Sequence, residues 1–206
     1  MYSKMALKIV NFMHQSNSEL DDTDLKEVSV YGIEITLSTI INYILILIIG
    51  ICLNSFFSVV IFSIVFNTFR KYMGGYHCTT YFRCNITFCA IFILVLALSR
   101  LLCGVMNISM VIMVLLFCGY GIWYWGPVEN IYKPISTEQQ EHCHTIAKLI
   151  YVISSIGSIV CYIWLPYYGM VAIFSLLAVV ILLPLGMVAE RRRRYESEKQ
   201  NCESCD

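Results

Sequence analysis

His77 and Cys84 are the residues of this 206-residue chain with the clearest chemical potential. They belong to the segment Arg70-Lys71-Tyr72-Met73-Gly74-Gly75-Tyr76-His77-Cys78-Thr79-Thr80-Tyr81-Phe82-Arg83-Cys84. That polar interval separates two apolar runs, Phe56–Phe69 and Ile86–Ser99. A thiol attacks poorly until it becomes a thiolate. A nearby imidazole can take its proton, and positive charge can hold the anion. His77, Cys84 and the cations Arg70, Lys71 and Arg83 supply all three parts within one short stretch. The chemistry implied is nucleophilic attack by sulfur on an acyl group, as in a cysteine peptidase.

The spacing sets a condition on this pair. Seven residues of unbroken helix span about 10.5 Å, so His77 and Cys84 would share a face without touching. A working dyad needs about 3 Å between nitrogen and sulfur. The segment must therefore bend, and Gly74-Gly75 is the local breaker. Cys84 is expected to open the following helix. A helix start offers free N–H groups and a positive dipole end, which favour a thiolate there. The N–H of Cys84 or Asn85 could also face a developing oxyanion. Cys78 adjoins His77 and would point elsewhere in most geometries. Asn85, Thr79 and Glu141 are candidates for orienting the imidazole.

The elements that must position these groups are membrane spans. The chain is 58% hydrophobic and only 14% charged, against roughly 25% charged in soluble domains. Its mean hydropathy is +0.70. Apolar runs of about 20 residues are long enough to cross a bilayer as helices. Six are expected: Ile33–Leu53, Ser55–Phe69, Ile86–Ser99, Val105–Trp125, Ile146–Leu165 and Tyr168–Ala189. The second and third look short, which would sink the loop between them toward the membrane. The fold class is all-α: a polytopic membrane protein with about six transmembrane helices and an N-terminal amphipathic helix. No cleavable signal peptide is expected, because the first apolar span follows the polar stretch holding Glu19, Asp21, Asp22 and Asp24.

Charge orients the spans. Of the 14 Lys and Arg, only Arg100 falls among the tiny connections at Asn54, Arg100–Gly104 and Pro166–Tyr167. Twelve others lie in the N-terminal segment, Arg70–Asn85, Gly126–Thr145 and the C-terminal tail, and Lys148 stands three residues past Thr145 at the near end of the fifth span. Positive residues stay on the cytoplasmic side. Both termini and the His77–Cys84 loop are thus expected in the cytosol, in a multi-pass protein of the cell membrane. Three segments follow: 1–30, cytosolic and amphipathic; 31–190, the transmembrane domain; 191–206, a basic then polar tail. Met5, Ile9, Phe12 and Met13 form a helical stripe that would rest on the lipid surface or on the protein itself. Arg191–Arg194 reads as a stop-transfer and lipid-anchoring cluster, and the tail from Tyr195 as disordered.

Other clusters carry less. Cys52, Cys89, Cys103, Cys118 and Cys161 lie in or beside apolar spans, where cysteine serves as a small hydrophobe. His142-Cys143-His144 and Cys202…Cys205 sit on different segments and do not complete a four-ligand zinc site. No metal, cofactor or nucleic-acid partner is expected. Spans this small would gain from a partner copy, which keeps a homodimer among the expectations. A small transporter or an inert scaffold is the rival reading. A transporter would carry buried charges along its path, whereas here only Glu34, Arg100 and Lys148 fall near span ends.

The chain resembles the accessory gene regulator B (AgrB) family of Gram-positive peptide quorum sensing. Its size, its spans and the arrangement Arg70…Gly74-Gly75-Tyr76-His77…Cys84 after the second span carry the resemblance, with Gly126-Pro127-Val128…Tyr132-Lys133-Pro134 as a weaker second motif. The resemblance implies an endopeptidase acting on a short precursor peptide. That precursor would have an amphipathic N-terminal helix, a central segment with Cys or Ser, and an acidic C-terminal tail. Cys84 would be nucleophile and His77 base. Arg70, Gly75, Lys71, Arg83 and Asn85 would be substrate-binding or oxyanion candidates, the cations drawing in the acidic tail.

Overall fold

The computed structural model describes residues 23–73, 81–125 and 137–203. Among these the chain is helical: α1 Thr23–Cys52, α2 Phe56–Met73, α3 Tyr81–Leu102, α4 Ile108–Tyr124, α5 Thr137–Trp164 and α6 Pro166–Glu203. Five helices are long and apolar enough to cross a membrane. α4 is apolar but has 17 residues, about 25 Å at helical rise. That is the lower end of what spans a hydrocarbon core of about 30 Å. The expected amphipathic helix at the N-terminus lies outside the described residues.

Two expectations about length change. The second and third apolar runs looked short, but α2 and α3 have 18 and 22 residues. Their helices continue through the polar ends that a hydropathy reading leaves out. The tail was expected to be disordered, yet α6 continues to Glu203. Its Arg, Glu, Lys and Gln residues are good helix formers. Pro184 sits inside α6 without ending it, as prolines in membrane helices often do.

α6 is the axis of the bundle. It packs against α2, α3, α4 and α5. Every residue from Gly169 to Leu176 is buried, as suits a helix that is apolar all round. α1 packs on α2 and α3 and leaves Ile40, Ile44, Leu47, Ile48 and Ile51 exposed. In lipid these side chains gain nothing by moving inward. Helix association there rests on close packing and interhelical hydrogen bonds.

The connections are short and specifically pinned. Asn54 adopts a left-handed backbone (φ 51°) between α1 and α2, a conformation asparagine tolerates better than most residues. Gly50 lets α1 approach α2, since a Cβ there would collide with Val59. Arg100 from the end of α3 donates to the Leu53 carbonyl (2.7 Å) and to Ser55 Oγ (2.9 Å). The one cation that departs from the charge sorting thus ties down the α1–α2 turn. α5 is stitched to the α3–α4 connection by Tyr162 Oη on the Met106 carbonyl and to α4 by Tyr151 Oη on the Leu115 carbonyl. His144 Nε2 lies 2.9 Å from the Ile122 carbonyl, so that nitrogen carries the proton and caps the end of α4.

Candidate active site

The site grows from the way α2 and α3 face each other. Phenylalanines recur one helical turn apart on both: Phe62 and Phe66 on α2, Phe88 and Phe92 on α3. All four are buried. Phe62 meets Phe92 at 5.1 Å and Phe88 at 5.3 Å between centroids, and Phe66 meets Phe88 at 5.2 Å, edge to face. These distances suit favourable aromatic pairs. The pairs Phe62–Phe92 and Phe66–Phe88 run antiparallel. One turn further along α2 comes Arg70; one turn back along α3 comes Cys84.

These two residues meet. Arg70 Nη2 donates to Cys84 Sγ at 3.4 Å, a contact in which both residues are half-buried. Cys84 is the fourth described residue of α3. The guanidinium presents positive charge to a sulfur anion there.

Asn85 points differently. Consecutive helical residues project about 100° apart, so Asn85 turns toward α1 while Cys84 turns toward α2. Its Oδ1 accepts a hydrogen bond from Ser38 Oγ at 3.1 Å. Lys71 is exposed, with Nζ 5.5 Å from the ring centroid of neighbouring Tyr72. Arg83 is exposed, and so is Glu141 on α5. Arg70 is thus brought against the proposed nucleophile. His77, Gly75, Cys78 and Thr79 lie outside the described residues, and with them the expected bend between His77 and Cys84. The pairs 62–92, 66–88 and 70–84 are all centred in sequence on position 77.

Sequence reasoning missed two features of the site. The phenylalanine ladder was legible as an i, i+4 repeat in two successive apolar runs, a spacing that stacks side chains on one helix face. Ser38 gave no such signal, because its partner is 47 residues away. No group of three or more His, Cys, Asp or Glu suited to a metal occurs among the described residues. Within the His142-Cys143-His144 cluster, His144 is engaged in capping α4.

The model of the family Accessory gene regulator B matches residues 6–183. A protein of Clostridium perfringens (strain 13 / Type A) carried under the name AgrB-like protein 2 is 30% identical over 131 residues, which cover 61% of each chain. The match thus spans less than two thirds of that relative's length. No solved structure matches the chain.

Proposed function

Because the chain belongs to the accessory gene regulator B family, we propose that it is a membrane cysteine endopeptidase of peptide quorum sensing. It removes the acidic tail of a short precursor and assists closure of the remaining segment into a ring. The observation that carries this reading is the Arg70 guanidinium against Cys84 Sγ, between two helices of membrane length.

The chemistry follows from the groups. His77 takes the thiol proton, and Cys84 Sγ attacks the carbonyl carbon joining the central segment to the tail. The C–N bond breaks, His77 returns the proton to the departing amine, and the acyl group stays on sulfur as a thioester. A thiol of the precursor, its proton taken by His77, then attacks that carbonyl. Cys84 leaves as the thiolate that Arg70 favours, and the product is a thiolactone. One thioester replaces another, so ring closure needs no further energy source. A precursor serine would give a lactone by the same route. Water is the competing nucleophile, and a site at the membrane edge limits its access. Lys71 and Arg83, exposed at the same end, suit the attraction of an acidic tail.

The charge sorting supports placing this end in the cytosol, which requires α4 to cross as well. The test is coexpression with candidate precursors. Mass spectrometry should find a precursor shortened at its C-terminus with the wild-type chain and none with Cys84→Ala. Equal shortening with both would refute the reading.

A further inference from the structure

We propose that the buried Ser38–Asn85 hydrogen bond locks the register of α1 against α3 and thereby holds Cys84 opposite Arg70. The inference rests on the reading of Cys84 as nucleophile and adds a positioning pair to it. Ser38 and Asn85 are 6% and 3% exposed, and Ser38 Oγ donates to Asn85 Oδ1 at 3.1 Å. Both lie within helices packed in a membrane domain, where a polar group without a partner is costly.

The face that α1 turns inward carries Ser38, Asn42, Ile46 and Gly50 at four-residue spacing, with Ser38, Ile46 and Gly50 buried. Gly50 fits against Val59 of α2, where a Cβ would collide, and so keeps α1 in step with α2. Ser38 keeps it in step with α3. A slip of one turn is about 5.4 Å, enough to separate Ser38 Oγ from Asn85 Oδ1 and break a buried hydrogen bond. In lipid such a bond adds little to overall stability, so its effect lies in register. Asn85 adjoins Cys84, so α3 cannot shift or rotate on α1 without moving the sulfur. The Arg70 contact at 3.4 Å has little slack to absorb that movement.

The experiment compares Ser38→Ala, Asn85→Ala, the double variant and Ser38→Thr in lipid nanodiscs. Two quantities are read: precursor turnover, resolved into kcat and KM, and the rate at which iodoacetamide modifies Cys84, resolved by peptide mapping. Either alanine variant should lower kcat by about tenfold to a hundredfold, the scale set by small misplacements of reacting groups. KM should change little. Cys84 modification should change in both single variants. The double variant should be no worse than the worse single one, and Ser38→Thr, which keeps the hydroxyl, should recover most of kcat. If both rates stay within twofold of wild type in the alanine variants, the register lock is refuted. Additive losses that track the loss of folded protein refute it equally. If Cys84→Ala still releases the tail while Ser38→Ala alters Cys84 modification, the register lock stands and the nucleophile assignment falls.

Discussion

Replacing Arg70 by glutamine removes the guanidinium that donates to Cys84 Sγ at 3.4 Å while keeping a polar side chain of similar reach. The size of the effect depends on how dry the contact is. A charge pair at that distance is worth about 5 kcal/mol at an effective dielectric of 20, whereas fully exposed pairs are worth about 0.2–1 kcal/mol. Arg70 and Cys84 are both half-buried, so the middle of this interval applies. That agrees with about 1.5–3 kcal/mol for a hydrogen bond to a charged group. At 1.36 kcal/mol per tenfold in rate, the thiolate-dependent reaction of Cys84 should slow by about 10-fold to 150-fold. The assay is modification of Cys84 by iodoacetamide in membranes at neutral pH, followed by mass spectrometry of the peptide that contains it. Arg191→Gln, in an exposed position just past the last apolar span, is the control for a general loss of positive charge. Arg70→Lys keeps the charge but loses the planar fork, and should fall between wild type and Arg70→Gln. A Cys84 rate within threefold of wild type in Arg70→Gln would mean that Arg70 merely anchors α2 at the interface.

Cys84→Ala and Cys84→Ser should both abolish tail release and leave membrane insertion intact, while Cys78→Ala should keep most activity; peptide mass spectra and membrane fractionation report the two properties. Phe88 makes ring contacts with both Phe62 and Phe66, so Phe88→Ala should destabilise the α2–α3 pair by about 1–3 kcal/mol at about 0.5–1.5 per ring pair, measured by unfolding in detergent micelles. Arg70→Gln should slow turnover of precursors with acidic tails more than that of neutralised ones, in a paired kinetic comparison; equal slowing would confine Arg70 to the thiolate. Reporter fusions ending in Arg70–Cys84, Gly126–Thr145 and the tail should register cytoplasm, and those near Asn54, Gly104 and Tyr167 the outside. An outside signal for the Cys84 end would break the link to a cytosolic precursor.

The helices were legible in the sequence because apolar runs of membrane length alternate with polar punctuation, and each run became one helix. Their ends were less legible. Hydropathy marks where lipid stops, whereas the backbone stays helical as long as residues such as Glu196, Glu198 and Lys199 favour it. The pairing of Cys84 with Arg70 was not legible, since it depends on which residues of α2 and α3 stand opposite. The ladder Phe62, Phe66, Phe88 and Phe92 sets that register, and its four-residue spacing was present in the sequence as an unused clue. Ser38 was invisible for a different reason. A serine in an apolar run says nothing about a partner that the fold brings from a distant helix.

The central claim, that Cys84 carries the acyl group, is tested most directly by trapping it. A precursor whose ring-forming cysteine is replaced by alanine lacks the nucleophile that discharges the thioester. Mixed with the purified protein in nanodiscs and quenched in acid, it should leave an adduct on the Cys84 peptide. The added mass should equal that of the acyl segment without the tail, hydroxylamine should remove it, and Cys84→Ala should not form it. Release of the tail with no adduct on Cys84, at an undiminished rate in Cys84→Ala, would contradict the account.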